Sequence, residues 1–209
     1  MKVTFFLIVF ICSFHYRTFS QASKASLQTT NKGATKSAQP EYLEQLKVQK
    51  AQIDSRCKNL SSLLVFARVH NSKRLLPIKN GNFPEDVETS FNVLKNNNGR
   101  IIYIFESPTS ESGDWDISYR SYYDTSGKIF AFERQEHFFN SECTEGAAHE
   151  LLVKYFDKQG AVISSQYSLR DDQKKALDSK RCSYPYDKPY VISKDLNSYL
   201  TRSGVRNIK

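Results

Sequence analysis

The chain has 209 residues and a formal net charge of +8 at pH 7, with 39% hydrophobic and 13% aromatic residues, enough for one domain of ordinary size and too few for two large ones. Its basic surplus is modest, and no run of Lys and Arg interleaved with stacking aromatics occurs. Nucleic acid is therefore excluded as the expected partner, and a mixed-charge solvated surface remains. Beyond the N terminus no apolar stretch reaches the roughly 20 residues that cross a bilayer.

Lys2 precedes an apolar run from Val3 to Ile11, broken by Thr4 and extended through Cys12 to Phe14, and small residues follow at Ser20 and Ala22. This pattern predicts a signal peptide over residues 1–22, with cleavage after Ser20 or Ala22 fitting equally well. An uncleaved anchor is the alternative, opposed by His15, Tyr16 and Arg17, which end the apolar run early. The expected product is secreted or periplasmic and meets the membrane only through its leader. Losing Lys2 and Arg17 lowers its net charge from +8 to +6. Cys12 leaves with the leader, so Cys57, Cys143 and Cys182 remain in an oxidising compartment. Cys57 falls on the apolar stripe of a predicted helix, as a small buried thiol does. Cys143 and Cys182 lie in polar, turn-rich segments and form the expected disulfide.

Residues 23–40 are Ser, Thr, Lys, Gln and Ala with little to bury, which predicts a disordered linker closed by Pro40. A single α+β domain is expected over 41–209. It starts with an amphipathic helix over 41–66, because Leu43, Leu46, Ile53, Cys57, Leu60 and Leu64 recur at helical spacings. Asn80-Gly81 marks a turn, and Pro84 prevents an interior strand there. Val87 to Leu94 fits helical and strand periods alike. The strand is preferred because Asn96-Asn97-Asn98-Gly99 follows it as a hairpin tip.

Two stronger tips, Tyr123-Asp124-Thr125-Ser126-Gly127 and Phe156-Asp157-Lys158-Gln159-Gly160, repeat the same chemistry. Asp or Asn opens a type I turn, and Gly three residues later takes the left-handed conformation that returns the chain. Together the tips predict an antiparallel β-meander of about six strands over 86–169. A three-residue connection sets Tyr122 opposite Phe130 and Tyr155 opposite Ile163. Tyr122, Phe130, Phe132, Leu151, Val153, Tyr155, Ile163 and Tyr167 then share one core face. The opposite face carries Trp115, Tyr119 and Tyr123, a candidate binding face unless another element covers it. Residues 182–204 are expected to form an extended strap through Pro185 and Pro189, then a short helix capped by Ser193 and stopped by Gly204.

Signals for catalysis are sparse. His70, His137 and His149 show no metal-ligand spacing, and no Gly-rich phosphate loop or nucleophile elbow occurs. Neither a cofactor nor a metal is expected. Cys143 with His149 is the only thiol–base combination, and a disulfide half beside a surface histidine is the preferred reading of it. Glu106, Glu111, Asp114 and Asp116 lack the rhythm of a calcium loop and read as solvated loop acids.

The aromatic-Asp-x-x-Gly tips resemble the hairpin repeats of MORN-like proteins, and the whole is similar to uncharacterised bacterial exported proteins in which a helix precedes a β-meander. The resemblance covers about Val87 to Leu169. Its copies are spaced by 28 and then 33 residues instead of a fixed repeat. It implies a β-meander with a binding role and transfers no catalytic residue. The expected function is accordingly a non-enzymatic binding or envelope-associated protein whose partner is another protein or a cell-envelope component. An inhibitor or immunity-type protein using the aromatic face is the second reading, and a small hydrolase using Cys143 or the Asp114 loop is the third.

Overall fold

A computed structural model describes residues 38–72, 74–185 and 189–204. The expected leader and most of the expected linker lie outside these residues. Helix α1, Ala38–Cys57, is followed by a 3₁₀ turn, Leu60–Ser62, and eight strands: β1 Leu63–Val69, β2 Leu75–Pro77, β3 Val87–Lys95, β4 Ile101–Pro108, β5 Trp115–Tyr123, β6 Ile129–Phe139, β7 Ala147–Phe156 and β8 Val162–Arg170. Helix α2, Leu196–Ser203, comes last. All strands form one antiparallel sheet of order β2-β1-β3-β4-β5-β6-β7-β8. Among the described residues the architecture is mostly β with two α-helices.

The sheet thus has eight strands where six are predicted. Leu60 and Leu64 extend the apolar spacing of α1, which makes 41–66 read as one helix. Asn59 ends it instead: its side chain accepts from the amide of Ser61 and caps the 3₁₀ turn. The β-branched and aromatic run from Leu63 then pairs with β3, Phe66 opposite Phe91. Leu60 and Leu64 consequently stand exposed, while Leu46 and Ile53 are buried beneath α1.

Each hairpin tip forms by the chemistry its sequence contains. Asp124 Oδ1 accepts from the amides of Ser126 and Lys128 at 2.8 and 2.9 Å, and Gly127 takes φ 82°. Asn96 and Asp157 make the equivalent bonds. Beyond each tip, however, the pairing slips by one residue. Leu94 faces Tyr103 but Lys95 faces Ile101; Tyr122 faces Ala131 but Tyr123 faces Ile129; Tyr155 faces Ser164 but Phe156 faces Val162. Ile102, Phe130 and Ile163 are the extra residues of three β-bulges.

The bulges correct the predicted register and two face assignments. Tyr122 sits opposite Ala131, not Phe130, and Tyr155 opposite Ser164, not Ile163. Phe130 and Ala131 both turn toward α1, so Phe132 passes to the other side of the sheet. Tyr167 also lies on that other side, bonded to Glu150. In exchange, all three bulged side chains pack toward Leu46 and Ile53 of α1. The bulges therefore seat the helix.

The sheet has two differently covered faces. On the helix face, α1 lies over Tyr103, Tyr122, Phe130, Val153 and Tyr155. On the opposite strap face, Cys182 and Tyr184 pack against Phe138, Tyr190 lies over Tyr119 and Phe132, and α2 follows with Tyr199 1% exposed. Both ends of the strap are fastened. Cys182 is disulfide-bonded to Cys143 with Cα atoms 5.0 Å apart, and Asn140 donates to the carbonyl of Ser183. At the far end the amide of Leu196 donates to Gly127 O at 2.8 Å, on the second hairpin tip. Asp195, not Ser193, caps α2 by accepting from the amide of Ser198, and Gly204 closes it with φ 70°. No helix among the described residues is long and apolar enough to cross a membrane.

Candidate functional site

Trp115, Tyr119 and Tyr123 all fall on the strap face, where Tyr119 and Tyr123 are 3% and 0% exposed and Trp115 is half-buried. Tyr190 stacks on Tyr119 with ring centroids 3.8 Å apart, and Tyr184 meets Trp115 edge-on at 6.5 Å. Arg202 lies over the rings of Tyr190 and Tyr199. Glu106 completes this layer by accepting from the hydroxyls of Tyr199 and Tyr190 at 2.8 and 3.3 Å. Burial pushes the Tyr119 hydroxyl up to about 12, with Glu136 adding to the shift. These groups serve the fold: they are inward-facing rings whose polar tips are largely paired within the chain.

The helix face holds a second polar layer beneath α1. Lys50 bridges Glu133 at 2.6 Å and Asp54 at 2.9 Å, Arg120 reaches Glu133 at 2.8 Å, and the Tyr122 hydroxyl donates to Asp54 at 2.7 Å. Lys50 also sits 4.8 Å above the Tyr122 ring. Cys57 is the free cysteine among the described residues, and burial pushes its thiol up to about 12, out of the reactive range. Each buried charge here meets an opposite charge, so this network fixes the helix on the sheet.

Farther along the same face, the side chains become polar and reach solvent. Gln135, Leu151 and Ser168 form one cross-strand row and are half-exposed. In the next row Asp116 faces His137, His137 faces His149, and His149 faces Arg170. The two imidazole centroids are 4.8 Å apart with planes at 71°. His149 Nε2 and Asp172 Oδ1 share a 2.7 Å hydrogen bond, and His137 Nδ1 is 3.8 Å from Asp116 Oδ2. Asp172 also accepts from the amide of Ala147 at 3.1 Å. It approaches Gly146 so closely that a Cβ there would collide with its carboxylate. Hydrogen bonding from His149 holds the Asp172 carboxyl below the usual range, while burial, reinforced by His149, lowers His137 and favours the neutral imidazole.

This grouping was not apparent from residue spacing because hairpin pairing creates it. Positions 137 and 149 lie at equal distances from the centre of the loop joining β6 and β7. Pairing those two strands across that loop is the signal that finds them. Of the other acids, Glu106 is carried to the strap face, Asp116 to the histidine row, and Glu111 and Asp114 to an exposed loop. Cys143 is bonded to Cys182 and has no free thiol to place beside His149.

A third cluster lies on the strap face between β6 and β8. Glu136 and Glu150 are direct cross-strand neighbours, 4% and 9% exposed, and Arg134 contacts both. Tyr167 donates to Glu150 at 3.0 Å. Burial, with Glu150 alongside, pushes Glu136 up to about 7 despite Arg134. No family model matches the chain, and neither a curated protein nor a solved structure matches it.

Proposed function

We propose that this chain is an exported, non-enzymatic binding module whose contact surface is the exposed polar part of the helix face. The carrying observation is the unequal cover of the sheet. The aromatic rings Tyr119, Tyr123 and Phe132 of the strap face are covered by the strap and α2, whereas α1 covers the helix face only near the bulges and leaves Gln135, His137, His149 and Ser168 half-exposed. A flat array of half-exposed polar groups on rigid paired strands suits recognition of a protein or an envelope component. Export rests on the Lys2-to-Ala22 leader pattern and agrees with a Cys143–Cys182 disulfide, a bond that persists outside reducing compartments.

The test is retention of a partner from host envelope extract on the immobilised full chain. Gln135→Arg and Ser168→Arg are expected to abolish retention, and Val191→Arg, on the exposed outside of the strap, is expected to preserve it. Equal loss in all three, or retention by all three, contradicts this surface. A retained enzyme whose turnover falls on binding would give the module an inhibitory role.

A further inference from the structure

We propose that His137 and His149 are the protein ligands of a divalent first-row transition-metal ion of the Zn(II), Ni(II) or Cu(II) class, with Asp172 orienting His149 from behind. This site lies within the surface proposed above, but metal binding is read without any macromolecular partner, so either proposal can fail while the other stands.

The geometry has three parts. First, the histidines are direct neighbours on β6 and β7, two strands paired without a bulge from Ala131 to Phe139, so the backbone fixes their separation. Second, that separation suits a shared ion. With metal–nitrogen bonds of about 2.0–2.1 Å, two imidazoles at an angle between square and tetrahedral place their centroids roughly 4.5–5.3 Å apart. The observed value is 4.8 Å. Third, Asp172 occupies His149 Nε2 through a 2.7 Å hydrogen bond, and Asp116 Oδ2 lies on the Nδ1 side of His137 at 3.8 Å, beyond hydrogen-bond reach. This leaves Nδ1 of His149 and Nε2 of His137 as the ligating atoms. A carboxylate hydrogen-bonded behind a ligating imidazole, as Asp172 is behind His149, is the arrangement that fixes its tautomer and raises its basicity.

The surroundings agree with this assignment. Among the described residues no three His, Cys, Asp or Glu converge in a ligating arrangement, so water completes the coordination. Imidazole ligands with water favour Zn, Ni and Cu over the hard cations Ca and Mg. Arg170, the cation next in the row, donates to the carbonyl of Lys174 at 2.9 Å, which turns its charge toward that loop.

Ni(II) is the probe, titrated into the full chain by calorimetry and followed by the imidazole signals in nuclear magnetic resonance. One equivalent is expected to bind and to broaden His137 and His149 selectively. His137→Ala and His149→Ala should each weaken binding at least tenfold, and Asp172→Asn about tenfold or more. The double variant His15→Ala/His70→Ala should stay within twofold. Absence of saturable binding, unchanged affinity in either His137→Ala or His149→Ala, or matching loss in the double variant overturns the site. The broadening pattern of the unsubstituted protein decides the case if a variant fails to fold: signals of His70 broadened in place of His137 and His149 overturn it.

Discussion

The two faces of one sheet solve the same problem differently. On the strap face, aromatic rings are covered by more aromatic rings, and the chain that supplies them is fastened by a disulfide at one end and by Gly127 at the other. On the helix face, a single helix sits on side chains that three β-bulges push toward it, and ions beneath it fix its position. An apolar cover can be extended along a whole face by any chain that keeps supplying rings. A helix has a fixed length and direction, so the polar rows beyond it stay accessible.

Removing a buried ring from the strap face should have the largest effect. Tyr199→Ala, at 1% exposure, is expected to cost about 3–5 kcal/mol, read as a drop in the midpoint of denaturant unfolding. Next is the fastening of the strap. Replacing Cys143 and Cys182 together by Ser opens a link across a sequence separation of 39 and is expected to cost about 3–4 kcal/mol in the same measurement. An effect near zero would mean that ring packing alone holds the strap.

On the helix face the expected losses are electrostatic. Glu133→Ala strands Arg120 in a largely buried site and leaves Lys50 with Asp54 alone, and should cost about 3 kcal/mol. Lys47→Ala, which breaks the exposed pair with Glu44 on the same helix, should cost less than about 0.5 kcal/mol. Similar losses for both would contradict a buried network as the anchor of α1.

The smallest effect is a pH dependence. Glu136 is raised to about 7 by burial, so the folded state holds a proton that the unfolded chain releases near the ordinary carboxylate range. Its contribution therefore favours folding at low pH and is lost as pH rises through about 7. His137, lowered by burial, acts in the opposite sense as pH falls through the ordinary imidazole range. The difference between the natural chain and Glu136→Gln isolates the carboxyl: the variant should be the more stable at pH 8, with the gap closing toward pH 5. A gap independent of pH would exclude Glu136 as the titrating group.

Much of the meander was legible because hairpin tips are local. An Asp or Asn and a Gly three residues apart carry the turn wherever they occur, and the structure uses the pair at 96–99, 124–127 and 157–160. A fourth tip uses Asp171 with Lys174 at φ 67° and lacks the glycine that marks the others. Register was not legible, since a bulge inserts one residue without altering local composition; that is why Phe132 was assigned to the wrong face. Strand β1 was hidden because Leu60 and Leu64 happen to continue the helical spacing. The histidine row was hidden because its members meet only through strand pairing, and which rings the expected strap would cover was not legible because Tyr190 and Tyr199 come from the far end of the chain.

Hydroxyl-radical footprinting of the native full chain tests the unequal cover most directly, with Tyr167, 50% exposed, as the internal reference. Tyr119, Tyr123 and Tyr199 are expected to be protected far below Tyr167, while His137 and His149 react readily. Labelling of Tyr119 and Tyr123 at the rate of Tyr167 would mean that the strap does not cover these rings, and would contradict the account.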